Sequence, residues 1–104
     1  MKPVVLIHIL LPLYDNSGRR FSREKYEAVK SHLSARFQGL TAYSRAAAEG
    51  LWRVGKVVQR DDIVVYEVMA KSLNQRWWKQ YRKHLEQEFR QDSIVIRAQK
   101  IALV

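Results

Sequence analysis

The stretch Pro3–Leu11, PVVLIHILL, constrains the fold more than any other part of the chain. Read as a strand, it sets Val5, Ile7, Ile9 and Leu11 on one face and Val4, Leu6 and Leu10 on the other. A strand that is apolar on both faces lies inside a sheet and is covered on both sides. Pro3 suits its first position, where no ladder donor is needed. The run is too short to cross a bilayer, which takes roughly 20 apolar residues in a helix. No small-x-small cleavage site follows it, so it reads as a buried strand of a cytoplasmic protein and not as a leader.

Two later segments share a helical pattern. Tyr26, Val29, Leu33 and Phe37 fall at spacings of three, four and four, and Trp78, Tyr81, Leu85 and Phe89 repeat that spacing. Each set makes one apolar stripe. Asp15–Gly18 supplies turn formers ahead of the first helix. Ser22 is placed to cap that helix, Phe21 and Tyr26 take the positions of a hydrophobic staple, and Gly39 suits its end. Ser72 and Asn74 are candidate caps for the second helix, which the pattern carries to about residue 91.

Residues 40–70 read as two strands. LTAYSRAAAEGLWRV is irregular, with a bulge or bend expected at Glu49-Gly50, while DIVVYEVMA is a central strand. The connecting GKVVQRD is expected to extend the hairpin, and SIVIRAQKIALV is the last strand. With no linker or low-complexity stretch, residues 1–104 read as a single domain. The predicted class is α+β, a ferredoxin-like βαββαβ arrangement. It has a four-stranded antiparallel sheet with two helices on one face.

The segment QRWWKQYRKH, residues 75–84, mixes aromatic and basic residues. On a helical wheel they separate. Trp78 lies in the apolar stripe with Leu85 and Phe89, while Arg76, Lys79, Lys83 and Arg90 lie on the opposite flank. Trp78 is therefore core, and the cations form a solvated face. Trp77 sits off the stripe near His84 and Glu88, where a half-exposed tryptophan packs as a lid or anchors an interface.

Two helices cover only one sheet face, yet the other is apolar too. In IVVYEV, Ile63 and Val65 share that face with Glu67, and Met69 follows them. Packing sheet on sheet with a second copy would cover it, so a twofold homodimer of the dimeric α+β barrel type is expected. His8, Glu67 and Arg97 interrupt the apolar pattern of three neighbouring strands. Together they make a candidate site, with His8 as base, Glu67 as its orienting partner and Arg97 for an anionic group. Tyr43 and Trp52 are candidate ligand-binding residues beside them. A self-satisfying buried polar network is the plainer reading of the same residues. Arg19, Arg20 and Arg23, around the first helix N-terminus, are candidate anion-binding residues.

The charge of +9 and the absence of cysteine narrow the function classes. Such a charge attracts nucleic acid or acidic partners at long range. No disulfide scaffold, cysteine nucleophile or cysteine-ligated zinc is available. The three histidines are scattered, so no metal is expected, and no cofactor either. The chain has no phosphate-binding glycine loop and no nucleophile elbow. The aromatic platform that RNA-binding ferredoxin-like domains carry on their first and third strands is missing.

Arg36, Phe37, Gly39, Leu40 and Thr41, followed by Gly50 and Trp52, make an R-F-x-G-L-T … G-x-W pattern. It resembles a family of small uncharacterised bacterial proteins of ferredoxin-like type. At the level of fold the chain is also similar to dimeric α+β barrel proteins, among them cofactor-independent monooxygenases and isomerases. The resemblance implies the fold but no particular chemistry. Two functions are open. One is a homodimer holding a small, anionic ligand between its sheets. The alternative is a basic module for nucleic acid or an acidic protein partner.

Overall fold

The computed structural model describes residues 2–37, 40–45, 51–54, 57–60 and 63–104, with 40–60 given by the backbone alone. The elements are β1 (Lys2–Pro12), α1 (Arg23–Arg36), β2 (Leu40–Arg45), β3 (Leu51–Val54), β4 (Val57–Arg60), β5 (Ile63–Ala70), α2 (Gln75–Glu88) and β6 (Val95–Leu103). The fold is α+β. An antiparallel sheet runs in the order β2-β5-β1-β6, and β3 and β4 pair separately.

One sequence expectation is corrected here. The irregular strand read across residues 40–54 is two elements in two sheets. β2 pairs with β5 from Leu40↔Val68 to Arg45↔Ile63, whereas β3 pairs with β4 from Leu51↔Arg60 to Val54↔Val57. LWRV thus finds its partner in VVQR, across the short Gly55-Lys56 connection, instead of prolonging β2. The expected bend at Glu49-Gly50 and the stop at Gly39 lie outside the described residues.

The apolar alternation of β1 and β5 determines where the core forms. The register pairs Ile7 with Val68, Ile9 with Tyr66 and Leu11 with Val64, so these six side chains share one face. Val29 and Leu33 from α1, and Trp78, Tyr81 and Leu85 from α2, join the same cluster. Both helices therefore lie on this face. Leu33 and Leu85 are essentially fully buried, and each such side chain contributes about 1.5–3 kcal/mol relative to exposure. Phe21 and Tyr26, the expected staple pair, converge on Phe89 with ring centres 5.0 and 5.5 Å away.

The helix ends differ from one another. Ser22 occupies the cap position of α1, but its side chain makes no capping hydrogen bond. Asn74, not Ser72, caps α2 by accepting from the Trp77 backbone N–H at 3.1 Å. α2 closes earlier than expected. The Gln91 N–H donates to the Glu86 carbonyl, the Arg90 N–H donates to the Gln87 carbonyl, and Arg90 takes a left-handed φ of 50°.

Candidate ligand site on the sheet face away from the helices

Register alone brings the polar interruptions together. His8 of β1 stands opposite Glu67 of β5 on one side and Arg97 of β6 on the other. Because alternate residues share a face, this row points away from the helices. Cross-strand neighbours have Cβ atoms about 4.5–5.5 Å apart, close enough for side chains to meet. His8 and Glu67 do meet, with His8 Nε2 2.9 Å from Glu67 Oε1. Both are partly buried, with side chains 16% and 28% exposed. Arg97, on the edge-strand side, is exposed.

The pair has a defined chemistry. A carboxylate only accepts, so it holds the proton of a neutral imidazole on Nε2 and leaves the Nδ1 lone pair free to take another. The row is flanked by apolar neighbours. Leu6 and Leu10 lie two residues either side of His8, and Val65 and Met69 either side of Glu67. On β6, Val95 is 53% exposed. Apolar flanks around one acid–base pair and one guanidinium suit a small ligand with an anionic group.

The row has a fourth register position that the sequence reading passed over. Thr41 of β2 stands opposite Glu67. Thr41 precedes Tyr43 by two residues on β2. The register places Tyr43 opposite Val65, two positions along, while the side chains of Tyr43 and Trp52 lie outside the described residues. Trp52 belongs to β3, paired with Gln59 of β4 in the separate ladder.

Arg19, Arg20 and Arg23 do not join the row. They sit between the end of β1 and the first turn of α1, all exposed. The Asp15 carboxylate organises this turn by accepting from the N–H groups of Ser17 and Arg19, both at 2.9 Å. Gly18 supplies the positive φ of 81° that the turn requires. Arg23 Nε approaches Glu27 at 3.8 Å, one helical turn on.

The aromatic segment on α2 is chiefly structural. Trp78 and Tyr81 are buried, and Arg76, Lys79 and Lys83 are exposed. Trp77 packs against Phe37, with the Arg36 guanidinium 4.3 Å from its ring centre and His32 stacked nearly parallel to it. Three tyrosines have altered titration. Burial pushes Tyr26 up to about 12, with Arg20 opposing, and burial also raises Tyr66 and Tyr81. All three stay protonated at neutral pH, so none offers a phenolate. Among the described residues no cluster of three or more His, Cys, Asp or Glu is placed to hold a metal, and no helix is long and apolar enough to cross a membrane.

No family model and no curated protein matches the chain. The motif at Arg36–Thr41 and Gly50–Trp52 thus gains no family support from these comparisons. Among solved structures, the chain is similar to a phage SAM lyase in complex with S-methyl-5'-thioadenosine, with a TM-score of 0.59 and 14% identity. The match covers 95% of this chain and 82% of the lyase chain. At that identity the likeness concerns the fold.

Proposed function

We propose that the chain is a single ferredoxin-like domain that binds a small, anionic ligand on the sheet face bearing His8, Glu67 and Arg97. In this reading a second copy packs its own sheet over that face, making a homodimer of the α+β barrel type and turning a partly open row into an enclosed site. The observation that carries it is the 2.9 Å His8–Glu67 pair in register with Arg97. A lone polar pair is commonly structural, but a guanidinium beside it gives the row a charge to offer a ligand. Arg97 would hold the anionic group. His8 would exchange a proton with the ligand through Nδ1, and Glu67 would orient the ring. That chemistry is the proton transfer of isomerase-type reactions and needs no cofactor.

The likeness to a phage SAM lyase bound to S-methyl-5'-thioadenosine supports the reading in one respect: a chain of this fold can hold a small molecule. The test is a titration of isotope-labelled protein followed by backbone and imidazole NMR shifts. S-methyl-5'-thioadenosine, acetate and inorganic phosphate serve as probes. The reading expects saturable shifts centred on His8, Glu67 and Arg97, and their loss in His8→Ala. Saturable shifts confined to another surface, or no saturable shift with any probe, would overturn it.

A further inference from the structure

The outer edge of β6 and the groove beside it form a second surface, separate from the His8 row. Among the described residues β6 pairs only with β1, so it is an edge of the sheet. It is nine residues long, and nine residues extend for about 30 Å. Alternate residues of such a strand turn their N–H and C=O groups away from the paired neighbour. Long edges are commonly blunted by proline, a bulge or charged side chains. β6 has no proline, and its register with β1 is continuous from Lys2↔Leu103 to Leu10↔Val95.

Among the described residues the exposed large apolar side chains are Tyr14, Leu73, Val95, Leu103 and Val104; Leu73 lines the adjoining groove, and Val95 and Leu103 lie on β6 with Val104 just past it. That groove, about 280 Å³, runs between α2 and β6. Leu73, Trp78, Ile96 and Ala98 supply its apolar lining, and Lys79 and Arg82 supply its cations. Lys100 of β6, in register with Val5 on the helix side, adds an exposed cation.

These charges select the occupant. Two copies meeting edge to edge would bring Lys79, Arg82 and Lys100 against the same three residues of the twin. Like charges so placed oppose pairing. An acidic strand is attracted by the same groups and also satisfies the outward backbone groups, which nucleic acid does not match along a strand. We propose that the β6 edge accepts an extended acidic segment of a partner protein as an added strand. Its helix-side residues enter the α2–β6 groove, apolar ones beside Ile96 and Ala98 and carboxylates against Lys79 and Arg82.

The probe is a fluorescein-labelled peptide, Val-Thr-Glu-Thr-Val-Thr-Glu-Thr, whose one face alternates valine and glutamate. Anisotropy is followed with the wild-type chain and with a Lys79→Glu, Arg82→Glu double variant. Both replaced side chains are exposed, so the variant is expected to fold, which circular dichroism checks. A peptide N-methylated at alternate residues, which cannot pair as a strand, is the second control. The expected result is saturable binding, weakened about tenfold or more in the double variant, and lost with the N-methylated peptide. Absence of saturation would overturn the proposal. So would equal binding of the N-methylated peptide, or equally effective displacement by a single-stranded oligonucleotide of matching charge.

Discussion

His8 and Glu67 face each other directly across the β1–β5 pair, Nε2 to Oε1 at 2.9 Å, on the side of the sheet that the helices leave. The two are 59 residues apart in sequence, so only the strand register joins them. Glu67→Ala removes the acceptor and strands a partly buried imidazole N–H, a change that costs about 1–2 kcal/mol. Glu67→Gln keeps an oxygen there and costs less than about 1 kcal/mol. Urea unfolding of the three proteins is expected to rank them wild type, Gln, Ala.

The two helix caps give opposite expectations. Asn74 accepts from the Trp77 N–H, so Asn74→Ala is expected to destabilise by about 1 kcal/mol. Ser22 makes no such bond, so Ser22→Ala is expected to change stability by less than about 0.5 kcal/mol. Thermal unfolding compares them. For a domain of this size, 1 kcal/mol shifts the midpoint by about 4–8 °C.

Arg90 holds a left-handed backbone at the position that usually goes to glycine. A side chain in that conformation costs about 1 kcal/mol, and glycine removes the strain. Arg90→Gly is therefore expected to raise stability by about 0.5–1 kcal/mol, although it deletes a cation from an exposed site. An increased urea midpoint with an unchanged slope checks this.

Tyr26 predicts an alkaline limit. Burial pushes it up from 10.0 to about 12, with Arg20 pulling the other way. Between those two values the unfolded chain has released the proton while the native chain keeps it. Stability must then fall as pH rises through that window and be unaffected by this group below it. Tyr66 shifts in the same direction. The Tyr26 hydroxyl also donates to the Pro12 carbonyl at 2.5 Å. Tyr26→Phe is accordingly expected to be less stable at neutral pH, with the gap narrowing as pH rises towards about 11. Urea midpoints at the two pH values measure it.

Much of this architecture was legible because its signals were periodic. The three-four-four spacing of Trp78, Tyr81, Leu85 and Phe89 named four residues that are all buried. The alternation of β1 separated Ile7, Ile9 and Leu11 from Leu6, His8 and Leu10, and the register keeps that division. The break between β2 and β3 was not legible. AYSRAAAEGLWRV carries no proline and no turn dipeptide strong enough to outweigh its apolar run, and its own alternation does not say whether LWRV prolongs β2 or folds back on VVQR. Trp77 was placed off the stripe, but its neighbours Arg36 and Phe37 come from α1 and the residue after it, and one helix's wheel does not reveal the other helix's approach. Ser22 shows the limit of a capping motif, which identifies a competent side chain but not its rotamer. Of the candidate site, alternation sets His8, Glu67 and Arg97 on one face once the strand order is given. The 2.9 Å contact depended on register, which no local pattern fixes.

The proposed enclosed ligand site exists only if a second copy covers the sheet face that carries His8, Glu67 and Arg97. Light scattering on the eluting chain, at moderate and at high salt, measures this most directly. The expected result is a mass twice the 12.3 kDa of one chain, unchanged by salt because the proposed interface would be chiefly apolar. A mass of 12.3 kDa under both conditions would contradict the sheet-on-sheet assembly and with it the enclosed ligand site.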